Sequence, residues 1–138
     1  MPAADVLLPE DLALEPLQSL YDSGGLQTQV DSGGDLIVTS GVSCYAIPTR
    51  QCDRILLLAF LGTKDNVGRD LKMEFANRVN NELSTIRARV NENDRVIFDF
   101  YIPVEGGITG EAILAATKFF LQATTYAANH CDDAQIVR

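Results

Sequence analysis

Residues that can do chemistry are scarce in this sequence, which has one histidine, three cysteines and no tryptophan in 138 residues. The histidine, His130, lies close to the end of the chain, so a serine or cysteine nucleophile would lack a well-placed imidazole base. Cys44, Cys52 and Cys131 are odd in number and lack the Cys-x-x-Cys spacing of redox and zinc sites, which favours a reducing compartment. We therefore expect a protein that is not an enzyme and needs no cofactor or metal.

A long hydrophobic run is also missing. The longest, over 55–61, is far shorter than the ~20 apolar residues that a membrane-spanning helix needs. Residues 1–8 have neither the basic start nor the apolar stretch of a secretory signal. These absences predict a cytoplasmic protein that does not engage a membrane.

Basic residues are absent before Arg50, where the chain has seven acidic residues. The region 50–95 carries nine basic and seven acidic residues, and the whole chain has a net charge of −8. This balance argues against nucleic acid, whose phosphates require clustered Lys and Arg. Two interpretations stay open: the acidic part meets a basic partner, or it neutralises the region 50–95 within one fold or a dimer.

Hydrophobic periodicity and turn residues predict three helices and six strands in 138 residues, as expected for one domain. The predicted helices are 9–22, 66–82 and 109–129, and the predicted strands are 26–31, 35–39, 42–47, 54–61, 86–90 and 96–102. Tight turns between strands indicate antiparallel pairing, so the predicted fold is α+β, an antiparallel meander sheet packed with three helices. We expect one domain over 1–138, with a core over about 10–129 and a frayed tail from 132.

Two strands carry more specific predictions. The strand 54–61 has apolar residues on both faces, which is typical of a central strand covered on each side. In the strand 96–102 the alternation predicts an inward row, with Asp99 and Tyr101 pointing outward. The inward row comprises Val96, Phe98, Phe100 and Ile102.

Two polar segments are candidate sites. Asn77, Asn80 and Asn81 share one face of the second helix, and they either tie the helix end to the next strand or form a polar binding face. Gly106 and Gly107 precede Thr109, which is a good N-cap. This segment is either a turn with positive φ before a capped helix or an anion site, although Glu105 and Glu111 flank it and would repel phosphate.

The order of several short motifs supports a family resemblance. An Asn-x-x-Asn helix end (Asn77, Asn80) precedes a strand carrying the Arg87-Ala88 pair, and a second strand leads to Gly-Gly-Ile-Thr over 106–109 and a final helix. Over 75–121 this resembles the YbjN-like family, described as bacterial sensory transduction regulators. The resemblance implies a fold similar to type III secretion chaperones: helix, three strands, helix, two strands, helix. The segment 42–47 would then be one extra strand.

Type III secretion chaperones are small, acidic, cytoplasmic homodimers that hold partly unfolded client proteins. The resemblance therefore implies a protein-binding module, regulatory or chaperone-like, that forms a homodimer and serves bacterial signal transduction. The alternative is a small-ligand sensor with a pocket between sheet and helices. The candidate structural or binding residues are Asn77, Asn80, Asn81, Arg87, Gly106, Gly107 and Thr109.

Overall fold

Residues 5–49 and 53–138, which the computed structural model describes, form three α-helices, one 3-10 turn and eight strands. The helices are α1 (Leu14–Ser23), α2 (Arg69–Glu82) and α3 (Gly110–His130). The strands are β1 (Val6–Leu7), β2 (Gln27–Val30), β3 (Leu36–Ser40), β4 (Val42–Pro48), β5 (Arg54–Phe60), β6 (Arg87–Val90), β7 (Val96–Pro103) and β8 (Ile108–Thr109). Arg50 and Cys52 lie outside the described residues.

Six strands form one antiparallel sheet in the order β2-β3-β4-β5-β7-β6. Four consecutive strands precede α2, so β4 is an extra strand relative to the three that the resemblance implies. The predicted α+β class and antiparallel meander are confirmed. Strands β1 and β8 form a separate small pair, which sequence periodicity did not predict.

The hairpin turns β2–β3 and β6–β7 have the same construction despite different residues. In each, the first side chain accepts hydrogen bonds from two backbone N–H groups, Asp31 from Gly33 and Asp35, and Asn91 from Asn93 and Arg95. The fourth residue has a positive φ, 86° at Gly34 and 60° at Asp94. These local bonds fix the strand register on both sides of the turn.

All three helices lie on one face of the sheet, where the core forms. Alternate strand residues such as Leu57 and Phe98 point to that face and are 0% and 2% exposed. Phe75 of α2 makes an edge-on contact with Phe98. The Tyr21 hydroxyl lies 2.7 Å from Thr117 Oγ1, which itself donates to the Ile113 carbonyl, so Tyr21 is the donor in that buried bond joining α1 to α3.

The first helix begins later than predicted. Pro9–Asp11 is a 3-10 turn, and α1 starts at Leu14. The reason is Pro16, which is tolerated at the third helical position, where its missing N–H needs no partner. In a helix that began at Pro9 the same proline would be interior, where it removes a hydrogen bond and clashes with the preceding turn.

The second helix also begins later than predicted. Its N-cap is Gly68, with φ −74° and ψ 162°, and Asn66 has a φ of 69° that no α-helix accommodates. Its buried stripe comprises Phe75, Ala76 and Val79. Leu71 and Met73 of the same helix are 40% and 52% exposed, so they lie outside this stripe.

The tail is packed rather than frayed, and that expectation was wrong. The Asp132 carboxylate accepts hydrogen bonds from the N–H groups of Ile136 and Val137, which closes the tail into a loop. Lys64 N–H donates to the Ile136 carbonyl, and the Ile136 side chain is 1% exposed. With Leu7 at 3% exposure, the core extends past 10–129 at both ends.

Candidate protein-binding face

The sheet face opposite the helices is covered by no element of the described residues. We call it the open face and define it by the strand residues that alternate with the core row. Its side chains are Gln27, Gln29, Ile37, Thr39, Ser43, Tyr45, Ile47, Arg54, Leu56, Leu58, Phe60, Arg87, Arg89, Ile97, Asp99, Tyr101 and Pro103. The expectation that β5 is covered on each side was therefore wrong, because Leu56 and Leu58 are only half-buried, by their neighbours on the face.

The middle of the open face is apolar and continuous across four strands. Registered pairs bring Ile37 beside Tyr45, Tyr45 beside Leu58 and Leu56 beside Tyr101. Tyr45 and Phe60 meet edge-on with ring centroids 6.5 Å apart, and Phe60 is 38% exposed. A shallow depression of about 370 Å³ lies over Ile37, Tyr45 and Leu58. A contiguous apolar patch of this kind marks interaction surfaces more often than scattered apolar residues do.

One side of the patch ends in an ion-pair cluster. Asp99 accepts two hydrogen bonds from Arg87, at 2.8 and 2.7 Å, and one of 3.1 Å from Arg89. Asp99 points to the predicted outward face, yet its side chain is 3% exposed because the two guanidiniums cover it. Burial by itself raises the pKa of Asp99, but the hydrogen bonds from Arg87 and Arg89 outweigh it and hold that pKa below the usual value.

Two further arginines lie on aromatic rings of this face. The Arg54 guanidinium carbon is 4.6 Å from the centroid of Tyr101, and that of Arg95 is 4.2 Å from the centroid of Phe60. Such stacking fixes the guanidinium plane and leaves its terminal N–H groups pointing away from the ring. The Nε of Arg54 also lies 3.5 Å from Asp53 Oδ1. The open face thus combines an apolar centre with arginines held in defined positions.

Asn80 has a structural role at the outer edge of β6. Its side-chain amide donates to the Ala88 carbonyl at 2.9 Å and accepts from Ala88 N–H at 2.8 Å. Asn77 and Asn81 are exposed, and among the described residues their side chains make no hydrogen bond. The three asparagines therefore do not act as one set, and only Asn80 ties the helix end to the next strand.

The segment 106–109 is a turn that leads into a capped helix. Gly106 and Gly107 have φ values of 88° and 100°, and Thr109 Oγ1 accepts from Ala112 N–H at 3.1 Å. Gly110 N–H donates to the Asp5 carbonyl at 3.3 Å. Two of the N–H groups at the start of the helix, those of Gly110 and Ala112, are thus already engaged. This segment lies beyond the end of β7, apart from the Asn80–Arg87 region, so the seven candidate residues occupy two places.

Phe100 belongs to a second apolar surface, on the helical side. It faces inward as predicted but is 36% exposed, and with Phe119 of α3, 57% exposed, it lines a groove of about 340 Å³. Ser84, Thr85, Ala116 and Phe120 complete the lining. A ligand pocket between sheet and helices, the alternative expectation, would lie at this groove.

Reactive side chains are not gathered in one place. Within 5–49 and 53–138 there is no group of three or more His, Cys, Asp or Glu that could hold a metal. His130 packs on the Tyr126 ring with centroids 4.6 Å apart. Burial raises the pKa of Cys44 to about 12, and Cys131 is also buried and free. Across the same described residues, no helix has the length and hydropathy to cross a bilayer.

The architecture defines an α+β protein whose helices cover one face of an antiparallel meander and leave the other open. A family model for YbjN, described as “Putative bacterial sensory transduction regulator”, matches residues 14–133. The chain therefore belongs to the YbjN family, which confirms the resemblance seen in the sequence. The family is described as a regulator and not as an enzyme.

A solved structure has the same fold across nearly the whole chain. It is described as “YbjN, a putative transcription regulator from E. coli”, and it covers 97% of this chain and 99% of its own with a TM-score of 0.77. At 14% sequence identity, this likeness establishes the fold alone. No curated protein matches this sequence.

Sequence reasoning named Arg87 but missed its partner Asp99, together with Arg54, Arg89 and Arg95. A usable signal was present in the β6–β7 hairpin. The predicted turn at 91–94 sets the register, and that register places Arg87 opposite Asp99. The sequence also contains a weaker signal of the open face, which is the presence of apolar residues on both sides of β5.

Proposed function

We propose that this chain is a non-enzymatic regulatory module that binds another protein through its open face. The observation that carries the proposal is the continuous apolar surface of Ile37, Tyr45, Leu56 and Leu58 on a sheet face without a covering layer. Sheets normally bury a hydrophobic face against a second layer. A partner protein would supply that layer here.

A photo-crosslinking experiment tests which surface binds. Benzoylphenylalanine replaces Tyr45 or Tyr101 on the open face, one at a time, in the full chain expressed in bacteria. Tyr126 on α3, which at 40% is as exposed as Tyr101 and more exposed than Tyr45, is the control. Light-dependent protein adducts at positions 45 and 101 and not at 126 support the proposal. Adducts confined to 126, or equal at all three positions, contradict it.

The proposal includes a homodimer in the cytoplasm, with a regulatory or chaperone-like role. Its support is the family resemblance and the two buried free thiols, Cys44 and Cys131, which suit a reducing compartment. Size-exclusion chromatography with light scattering should give a species of twice the 15.1 kDa chain mass at micromolar concentration. A strict monomer at that concentration would contradict the chaperone-like role, and the protein would then be a monomeric binding module.

A second candidate function is a small-ligand sensor that uses the Phe100–Phe119 groove. Its volume of about 340 Å³ falls within the range of ligand pockets, and its lining is mainly apolar with Ser84 and Thr85 at one side. A metabolite that binds only the folded state should raise the melting temperature of the wild type. The shift should disappear in Phe119→Ser and persist in Tyr126→Ser.

A further inference from the structure

The charge of the open face is opposite to that of the whole molecule. Four of the eight arginines in the sequence belong to it: Arg54, Arg87 and Arg89 lie on the face, and Arg95 stacks on its Phe60 ring. Among the described residues they pair with two carboxylates, Asp99 and Asp53, whose Oδ1 lies 3.5 Å from Arg54 Nε. These groups therefore carry a net charge of +2, from four positive groups and two negative groups, in a chain of net charge −8. The separation indicates a surface selected for a negatively charged occupant.

The acidic N-terminal part does not neutralise these arginines within the chain. Every ion pair among the described residues uses an acidic residue at position 53 or later. Asp99 carries two guanidiniums, so its cluster keeps one positive charge, and Arg87 remains 60% exposed. The second of the two interpretations of the sequence was that the acidic part neutralises the region 50–95 within one fold or a dimer, and no ion pair among the described residues supports its one-fold form.

The arginines are also arranged to bind carboxylates. A guanidinium accepts a carboxylate with two parallel N–H bonds, and immobilising it beforehand reduces the entropy lost on binding. Asp99 immobilises Arg87 and Arg89, while the rings of Tyr101 and Phe60 hold Arg54 and Arg95. Between these positions lies the apolar centre. The complementary ligand has aliphatic or aromatic side chains with carboxylates interspersed.

We propose that the open face binds an acidic, apolar-rich segment of a partner protein, with carboxylates on Arg54, Arg89 and Arg95 and apolar side chains on Tyr45, Leu56 and Leu58. This inference rests on the proposed function and names the chemistry of the partner. Stacked aromatics with arginines could also receive nucleic-acid bases. The centre of the face is apolar, with Ile37, Leu56 and Leu58, and would desolvate a phosphate chain without pairing it, so the protein segment is the better match.

The test measures fluorescence anisotropy of labelled peptides with the full chain. The probes alternate Leu with Glu, with Gln or with Lys, so only charge changes along the series, and a mixed-sequence single-stranded DNA is the fourth probe. The Leu–Glu peptide should bind at least about tenfold more tightly than the Leu–Gln peptide. The difference should shrink as NaCl rises from about 0.05 to about 0.5 M.

Matched variants assign the effect to the face. The double variant Arg54→Gln/Arg95→Gln removes two face charges without touching the Asp99 cluster, and Arg69→Gln/Arg138→Gln removes two exposed arginines elsewhere. The first should lose about tenfold or more in affinity for the Leu–Glu peptide, and the second should stay within about twofold. Equal losses in the two variants would overturn the inference, because a general charge effect would then explain the binding.

Other outcomes separate this inference from the proposed function. Equal binding of the Leu–Glu and Leu–Gln peptides overturns the acidic partner while leaving an apolar binding face. Tighter binding of the DNA than of the Leu–Glu peptide overturns the protein segment and indicates a nucleic-acid partner. Self-association that excludes the peptide and is lost in Arg54→Gln/Arg95→Gln assigns the face to a second copy of this chain. No binding of any probe by the wild type also overturns the inference, and photo-adducts at positions 45 and 101 would still support the proposed function.

Discussion

Asn80 binds the backbone of Ala88 as a neighbouring strand would, with one donated and one accepted hydrogen bond of 2.9 and 2.8 Å. The two residues belong to consecutive elements, α2 and β6, so this pair fixes how the chain turns from helix to sheet. It also satisfies backbone groups at an edge where no further strand lies.

Replacing Asn80 by Ala should lower the free energy of unfolding by about 1–3 kcal/mol, because the two Ala88 groups lose their partners. Asn77→Ala is the matched control, since it makes the same change in helix propensity at an exposed position and should stay within about 0.5 kcal/mol. Urea unfolding followed by circular dichroism gives both values. Similar values for the two variants would contradict the edge role of Asn80.

Asp99→Asn should be less stable than the wild type by about 1–3 kcal/mol at neutral pH, because Arg87 and Arg89 lose a charged acceptor. The folded-state pKa of Asp99 lies below its unfolded value. The contribution of ionised Asp99 to the free energy of unfolding is therefore complete above the pKa of about 3.9 that it has in the unfolded chain. That contribution is lost as the pH falls through the lower pKa that Asp99 has in the folded protein. The stability difference between the two proteins should shrink with acidification in urea titrations at several pH values. A constant difference would show that the carboxylate charge is not involved.

Gly107→Ala should destabilise the protein on two grounds. A Cβ there would lie 2.8 Å from Val6 Cγ1, and φ is 100°, where side chains are strained. Gly106 has a similar φ of 88° but open space around its Cβ position, so Gly106→Ala isolates the backbone cost of about 1–2 kcal/mol. Thermal unfolding should rank Gly107→Ala below Gly106→Ala and both below the wild type. The reverse order would rule out the Val6 contact as a source of strain.

Thiol labelling should report unfolding of the core. In a Cys52→Ser variant, Cys44 and Cys131 are the remaining thiols, and both are buried. Because burial raises the pKa of Cys44 to about 12, little thiolate forms at about pH 8 even when reagent reaches it. An aromatic disulfide reagent should react slowly without urea and rapidly above the unfolding transition. Fast stoichiometric reaction of the native variant would contradict the burial of both residues.

The sequence was sufficient for the class of fold because local signals carried it. Alternation in β7 and the turn at Gly33-Gly34 act within a few residues, and the prediction of adjacent antiparallel strands followed from them. The N-cap at Thr109 is another local effect, made within one helical turn.

Long-range contacts explain what could not be predicted. The tail is held in part by a backbone hydrogen bond from Lys64 to Ile136, two residues remote in sequence, so the local pattern wrongly predicted a frayed tail. The open face raised a different problem, since a strand with apolar residues on both sides has the same pattern whether its second cover comes from the same chain or from a partner. The burial of Asp99 on the open face is a further long-range effect, because the arginines that cover it, Arg87 and Arg89, belong to another strand.

The two ends of the sheet are unequal. Asn80 occupies the Ala88 groups of β6, and Arg69 donates to the Val90 carbonyl at 3.5 Å, whereas β2 pairs only with β3. Within the described part of the chain, strand addition can thus proceed from one side only. Two molecules joined β2 to β2 would make a twelve-stranded sheet, from two copies of six strands. Its two edge strands would both be β6, whose blocked backbone groups would prevent further strands from adding and a fibre from growing.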